Sequence, residues 1–187
     1  MRIIAGKYKN KTIVTPPGLT TRPLLSRIRK SLLDILQPHL DGKKFLDLFS
    51  GTGVMALEAL SRGASYALSI DADDAALKAA QTNFQKICPQ ENYRIIRGDV
   101  LLMIPKLAAQ RKPFDVIGVT PPFGAGLVDA TLKKLEESPG LMTKDAVVFA
   151  QHDVEEEIRL DWPHLEHVRT KKYGRNVFDF FMPFEEE

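Results

Sequence analysis

Three features of the 187-residue sequence predict an α/β fold built on a mostly parallel, Rossmann-like sheet. From residue 45 onward, apolar runs of strand length alternate with amphipathic stretches of helix length. The first run, Phe45-Leu46-Asp47-Leu48-Phe49, passes directly into Ser50-Gly51-Thr52-Gly53, a tight glycine turn followed by a helical pattern. Aspartates stand at or just past the ends of the first three strand-like runs, at positions 47, 71 and 99.

Length and composition bound the reading. A chain of this size forms one full core, and 44% hydrophobic with 27% charged residues is ordinary for a globular protein. No apolar run approaches the ~18 residues of a membrane-spanning helix. Met1-Arg2-Ile3-Ile4 turns polar too quickly for a secretory signal. The single cysteine, Cys88, excludes an internal disulfide and a cysteine-rich zinc cluster, and points to the cytoplasm. His39, His152, His164 and His167 show no ligand spacing, so no metal is expected. Pro163 places His164 and His167 in a loop. No dimerisation motif is evident, and a monomer is expected.

The net charge of +2 conceals an asymmetry. Residues 1–44 hold ten Lys and Arg against two Asp, a local +8, which leaves −6 for the remaining 143 residues. A basic segment on a mildly acidic body suggests an arm for a polyanion. Residues 2–14 alternate around Gly6 as a β-hairpin would, residues 20–23 form a loop, and residues 26–36 form a helix stopped by Pro38. Arg22, Arg27 and Arg29 cluster near that helix start.

The rest follows in order. A helix is expected at 54–62, a strand at 66–70, a helix at 72–87 and a strand at 93–96. A fourth strand spans 114–119, then a helix 127–137 and a fifth strand 146–150. Glu155-Glu156-Glu157 suggests a solvated helix face. Residues 167–172 and 177–182 close the chain as a β-hairpin. That hairpin favours a methyltransferase sheet, with its last strand antiparallel, over an all-parallel dehydrogenase.

The ligand of the glycine turn is the central choice. Gly51-Thr52-Gly53 alone is weak, since a dinucleotide fingerprint wants a third glycine where Ala56 stands. Asp47 within the strand would repel a pyrophosphate and suits the ammonium and sulfonium of S-adenosylmethionine. Asp71, about 20 residues past Gly51, is placed to accept from ribose hydroxyls. Asp99 is placed to accept from an adenine amine. At the end of the fourth strand, Thr120-Pro121-Pro122-Phe123 forms a rigid turn. Its carbonyls can accept from a planar amine while Phe123 stacks on the ring.

These residues resemble a known family. Asp47-Leu48-Phe49-Ser50-Gly51-Thr52-Gly53, the Leu57-to-Ala64 stretch, Met1-Arg2-Ile3-Ile4-Ala5-Gly6-Lys7-Tyr8, Thr21-Arg22-Pro23 and Lys172-Tyr173-Gly174 look like the bacterial 16S ribosomal RNA guanine-N2 methyltransferase D family. The likeness covers nearly the whole chain. It implies a class I methyltransferase with a seven-stranded sheet at residues 41–187, and an RNA-contacting extension at residues 1–40. It implies S-adenosylmethionine held by Asp47, Ser50, Gly51, Gly53, Asp71, Ala72, Asp99 and Val100. Arg2, Lys7, Lys9, Lys11, Arg22, Arg27 and Arg29 would face 16S rRNA or the small ribosomal subunit.

One position departs from the family. Its catalytic turn begins with Asp or Asn, and here Thr120 stands instead. A hydroxyl accepts one bond and carries no charge. Losing a charge-assisted bond costs about 1.5–3 kcal/mol, roughly ten- to a hundredfold in rate if it acts in the transition state. A slowed enzyme and a catalytically degenerate ribosome-assembly binder are both consistent with threonine. A Rossmann oxidoreductase is opposed by Asp47, Ala56 and the closing hairpin.

Overall fold

The alternation of apolar runs becomes twelve α-helices and strands in the computed structural model, which describes residues 1–15 and 24–184. In order these are α1 (Ser26–Leu36), β1 (Lys44–Leu48), α2 (Val54–Ser61), β2 (Tyr66–Asp71), α3 (Asp74–Ile87) and β3 (Tyr93–Arg97). Then come α4 (Val100–Ala108), β4 (Phe114–Val119), α5 (Leu127–Glu136), β5 (Met142–Asp153), β6 (Leu165–Tyr173) and β7 (Asn176–Pro183). The expected loop 20–23, with Arg22, lies outside the described residues. The chain divides into two compact units, Met1–Gly98 and Asp99–Glu187.

In the first unit β1, β2 and β3 are all parallel, with Asp47 opposite Ser69 and Asp71 opposite Arg97. Parallel pairing brings the C-terminal ends of these strands to one edge. Phe45, Leu46, Leu48, Leu68 and Ile70 are buried, as continuous apolar strands covered on both faces must be. Helix α1 buries Ile28, Leu32, Leu33 and Leu36 and stops before Pro38. Helix α3 starts two residues later than expected. Asp73 caps it, its Oδ1 accepting from Ala76 N–H at 2.8 Å.

The N-terminal hairpin is looser than its alternation suggests. It holds one bridge, Arg2 with Thr12, and the bonds Ile3 N–H to Lys11 O and Asn10 N–H to Ile3 O. The arm also docks through polar groups. Lys7 N–H donates to Ser61 O at 2.8 Å, and Tyr8 N–H to Ser61 Oγ at 3.0 Å. Gly6 (φ +81°) permits this approach, since a Cβ there would lie 1.8 Å from Ser61 O.

Arg29 corrects an expectation. It is fully buried, its Nε 3.2 Å from Glu58 Oε1 and its guanidinium donating to Arg2 O at 2.6 Å. Glu58 in turn accepts from Ile4 N–H at 2.8 Å. A buried charge needs its partner, so Arg29 fastens the arm to α1 and α2 and offers nothing to RNA. Arg2, Lys7, Lys9, Lys11 and Arg27 are exposed, with Lys7 also paired to Glu91 at 2.6 Å.

In the second unit β4 and β5 are parallel, with Val119 opposite Ala150, and β7 is antiparallel to both β5 and β6. All seven strands belong to one mixed sheet, the class I methyltransferase arrangement with its antiparallel strand. Helix α4 has no counterpart in the sequence reading, because Pro105 in its interior hides the helical pattern. Strand β6 starts at Leu165, two residues before the expected hairpin strand, so His167 lies in that strand and not in the loop that Pro163 suggested. Residues 155–157 are not helical. Glu155 pairs with Arg175 at 3.2 Å, and Glu156 Oε2 accepts from Gly124 N–H at 3.3 Å. Among the described residues no helix is long and apolar enough to cross a membrane, and no group of His, Cys, Asp and Glu could hold a metal ion.

Candidate functional site

The glycine turn is built from alternating backbone conformations. Phe49 (φ +64°), Gly51 (φ +53°) and Gly53 (φ +77°) all lie in the left-handed region. For a phenylalanine that conformation is costly, and such strain gathers at ligand sites. Gly53 is also the N-cap of α2 and has no side chain to cap with. Asp47 supplies the missing acceptor from β1, its Oδ2 taking Ala56 N–H at 3.2 Å.

The other oxygen of Asp47 is the notable atom. Asp47 is 1% exposed, and its Oδ1 has no hydrogen-bond partner. Burial pushes its carboxyl up to about 7, the Asp71 charge adds to that rise, and the Ala56 N–H only partly opposes it. A buried carboxylate normally finds partners. One left half-bonded beside an open turn fits a cationic ligand. Ser50 Oγ, also buried, is likewise unpartnered. A Cβ on Gly51 would meet nothing within 4 Å, so the turn faces open space there.

Asp71 does a double task. Its Oδ2 accepts from Gly51 N–H at 2.7 Å and its Oδ1 from Asp73 N–H at 2.9 Å. Each oxygen keeps a second lone pair for a hydroxyl. The structure therefore brings Asp47, Ser50, Gly51, Gly53 and Asp71 together, with Ala72 exposed beside them. Asp99 and Val100 belong to the second unit. Asp99 is exposed, but its Oδ1 caps α4 by accepting from Leu101 and Leu102 N–H at 2.8 and 3.3 Å.

The second unit carries the proline turn directly after β4. Pro121 is buried, Pro122 is exposed and Phe123 is 46% exposed, a large apolar ring left in solvent. Gly118, two residues before Thr120, lies against Phe149. An added Cβ there would come within 2.7 Å of that ring.

This fold and this turn define a class I S-adenosylmethionine-dependent methyltransferase. The chain belongs to the family described as Conserved hypothetical protein 95, whose model matches residues 1–182. It is 30% identical over 155 residues to ribosomal RNA small subunit methyltransferase D of Escherichia coli, covering 83% of this chain and 76% of that one. It is 28% identical over 174 residues to YlbH of Bacillus subtilis, covering 93% and 94%. The solved structure of Escherichia coli yhhF matches with a TM-score of 0.84 at 28% identity, over 98% and 97% of the two chains.

Two features escaped the sequence reading. Asn83 of α3 lies under the glycine turn, and a cluster of buried His152 and Asp179 with half-buried His167 and exposed Thr170 ties β5, β6 and β7 together. Asn83 belongs to no short motif. The histidines are scattered in sequence and meet only when the strands pair.

Proposed function

We propose that this methyltransferase modifies the exocyclic N2 of a guanine in 16S rRNA, acting as a cytoplasmic monomer. Residues 1–40 serve as the RNA-binding extension and residues 41–187 as the transferase domain. The observation that carries the cofactor half is the buried, half-bonded Asp47 carboxylate beside the glycine turn. The substrate is supported by the 30% identical relative whose name specifies small-subunit rRNA.

S-adenosylmethionine supplies an electrophilic methyl group on a sulfonium. Asp47 holds the cationic end of that ligand, Asp71 its ribose hydroxyls, and the Gly51–Gly53 turn lets it approach the backbone. Ala72 of the first unit, and Asp99 with the adjoining Val100 of the second, are assigned to the same ligand, Asp99 to its adenine amine. In the Thr120-Pro121-Pro122-Phe123 turn, the Thr120 hydroxyl and a turn carbonyl accept the two N–H bonds of the guanine amine. That draws the nitrogen lone pair out of conjugation, and the Phe123 ring stacks on the base. Arg2, Lys7, Lys9, Lys11, Arg22 and Arg27 contact phosphates.

Thr120 favours one rival reading, a ribosome-assembly binder that has lost chemistry. The two separate in one assay, transfer of labelled methyl to small subunits lacking the modification, with free 16S rRNA as a second substrate. Label incorporated by the natural chain, mapped to guanine N2, is the expected result. The Thr120→Asp variant should be roughly ten- to a hundredfold faster. Label with Thr120→Asp alone would establish the degenerate binder. Silence from both, with cofactor still bound, would remove the guanine substrate.

A further inference from the structure

Asn83 connects two parts of the first unit that the sequence presents as separate. It is 1% exposed. Its Oδ1 accepts from Val14 N–H at 2.7 Å, and its Nδ2 donates to Val14 O at 3.0 Å and to Thr52 O at 3.1 Å. Val14 belongs to the basic arm, 69 residues away in sequence. Thr52 is the middle residue of the glycine turn. One planar amide thus grips both.

The grip on the turn is tight. The Thr52–Gly53 peptide is held at both ends, its carbonyl by Asn83 and its N–H by Ser50 O at 2.9 Å. The next residue of α3 closes the floor. A Cβ on Gly53 would lie 2.5 Å from the Phe84 ring. The turn cannot shift toward α3, and its carbonyl orientation is set by the same side chain that receives the arm.

We propose that Asn83 is a positioning residue that links cofactor binding at the glycine turn to RNA capture by the arm. This rests on the function proposed above. An amide is rigid, so a ligand that fixes the Thr52 carbonyl also fixes the two bonds to Val14. By thermodynamic reciprocity, RNA on the arm then tightens the cofactor by the same factor that the cofactor tightens RNA. An amide that merely satisfied buried groups would contribute to stability and leave the two affinities independent.

The test titrates S-adenosylhomocysteine by calorimetry into the natural protein and into Asn83→Ala, each with and without deproteinised 16S rRNA. RNA should tighten the natural protein's affinity at least about threefold. In Asn83→Ala the affinity without RNA should fall about fivefold or more, as for a lost buried hydrogen bond, and the RNA effect should vanish. An RNA effect of unchanged size in the variant overturns the inference, as does its absence from the natural protein that still binds the ligand. No binding of S-adenosylhomocysteine by the natural protein at all would instead overturn the proposed function, and the linkage with it. Should Asn83→Ala fail to fold, hydrogen exchange on the natural protein decides. The Val14 amide should exchange more slowly when S-adenosylhomocysteine is added, and an unchanged rate overturns the inference.

Discussion

Asp47 and Asp179 are the same group in comparable burial, 1% and 3% exposed, yet they stand at opposite electrostatic extremes. Asp47 has one N–H on one oxygen and nothing on the other, and burial drives its carboxyl up to about 7. Asp179 has His152 at 2.8 Å on Oδ2, with His167 at 2.7 Å and the Thr170 hydroxyl on Oδ1. Burial pushes it up, but those bonds outweigh burial and hold it below the usual carboxylate range. His152 also faces Asp153 O through Nδ1 at 2.9 Å. A carbonyl and a carboxylate only accept, so both contacts favour the protonated ring, and the Asp179 and Asp153 bonds raise His152 above the usual histidine value against the cost of burial. The lesson is that satisfaction, not burial, separates structure from site. The completed Asp179 carboxylate holds strands together, and Asp47, incomplete beside an open glycine turn, is the carboxylate to which the proposed cofactor role falls.

The largest effect should come from Asp179→Ala, which leaves the His152 imidazolium buried without its counter-ion. Loss of one partner of a buried pair costs about 3–5 kcal/mol. The urea midpoint should fall accordingly, and a loss under about 1 kcal/mol would remove the contrast.

Asp47→Asn should behave in the opposite way. The amide oxygen still accepts from Ala56 N–H, so stability at pH 8 should hold or rise. Affinity for S-adenosylhomocysteine should drop roughly ten- to a hundredfold, the value of a lost charge-assisted bond. A variant that unfolds as readily as Asp179→Ala would place Asp47 among the structural carboxylates.

The pH dependence sharpens the contrast further. A cationic ligand prefers ionised Asp47, so affinity should rise as pH climbs through about 7 and level off above it, with proton release below. A flat calorimetric profile between pH 6 and 8 would break the assignment.

The smallest effect concerns stability alone. His152 is raised by its Asp179 and Asp153 bonds against burial, so its folded value exceeds the unfolded one near 6.5. Its contribution is complete below that value and is lost as pH rises through the folded one. Chemical denaturation across pH 6–9 should show this decline in the natural protein and not in Asp179→Ala. Asp47, also raised, loses stability as pH rises between about 4 and 7, a window that lies mostly below that of His152.

Much of the first unit was readable because its signals are local. A strand and two glycines within nine residues, followed at once by a helix, leave few alternatives, and Asp47 and Asp71 are separated from the turn by fixed spacings. Helix α4 was missed because Pro105 contradicts a helix locally while the Asp99 cap and its packing override it. Arg29 was misread because charge patterning reports sign and not depth. Whether a guanidinium faces water or Glu58 depends on how α1 packs on α2.

The sequence by itself therefore determined the order of strands and helices apart from α4, the glycine turn, the aspartates at strand ends and the threonine that opens the proline turn. Each follows from neighbours a few residues apart, through periodicity, allowed φ values and chain stiffness. Only the tertiary structure decided which buried polar groups are complete. Asn83 with Val14 and Thr52, Arg29 with Glu58, and Asp179 with two histidines are pairings across 12 to 69 residues. The free energy of a buried polar group depends on whether a partner arrives from a distant element, and no local pattern encodes that arrival.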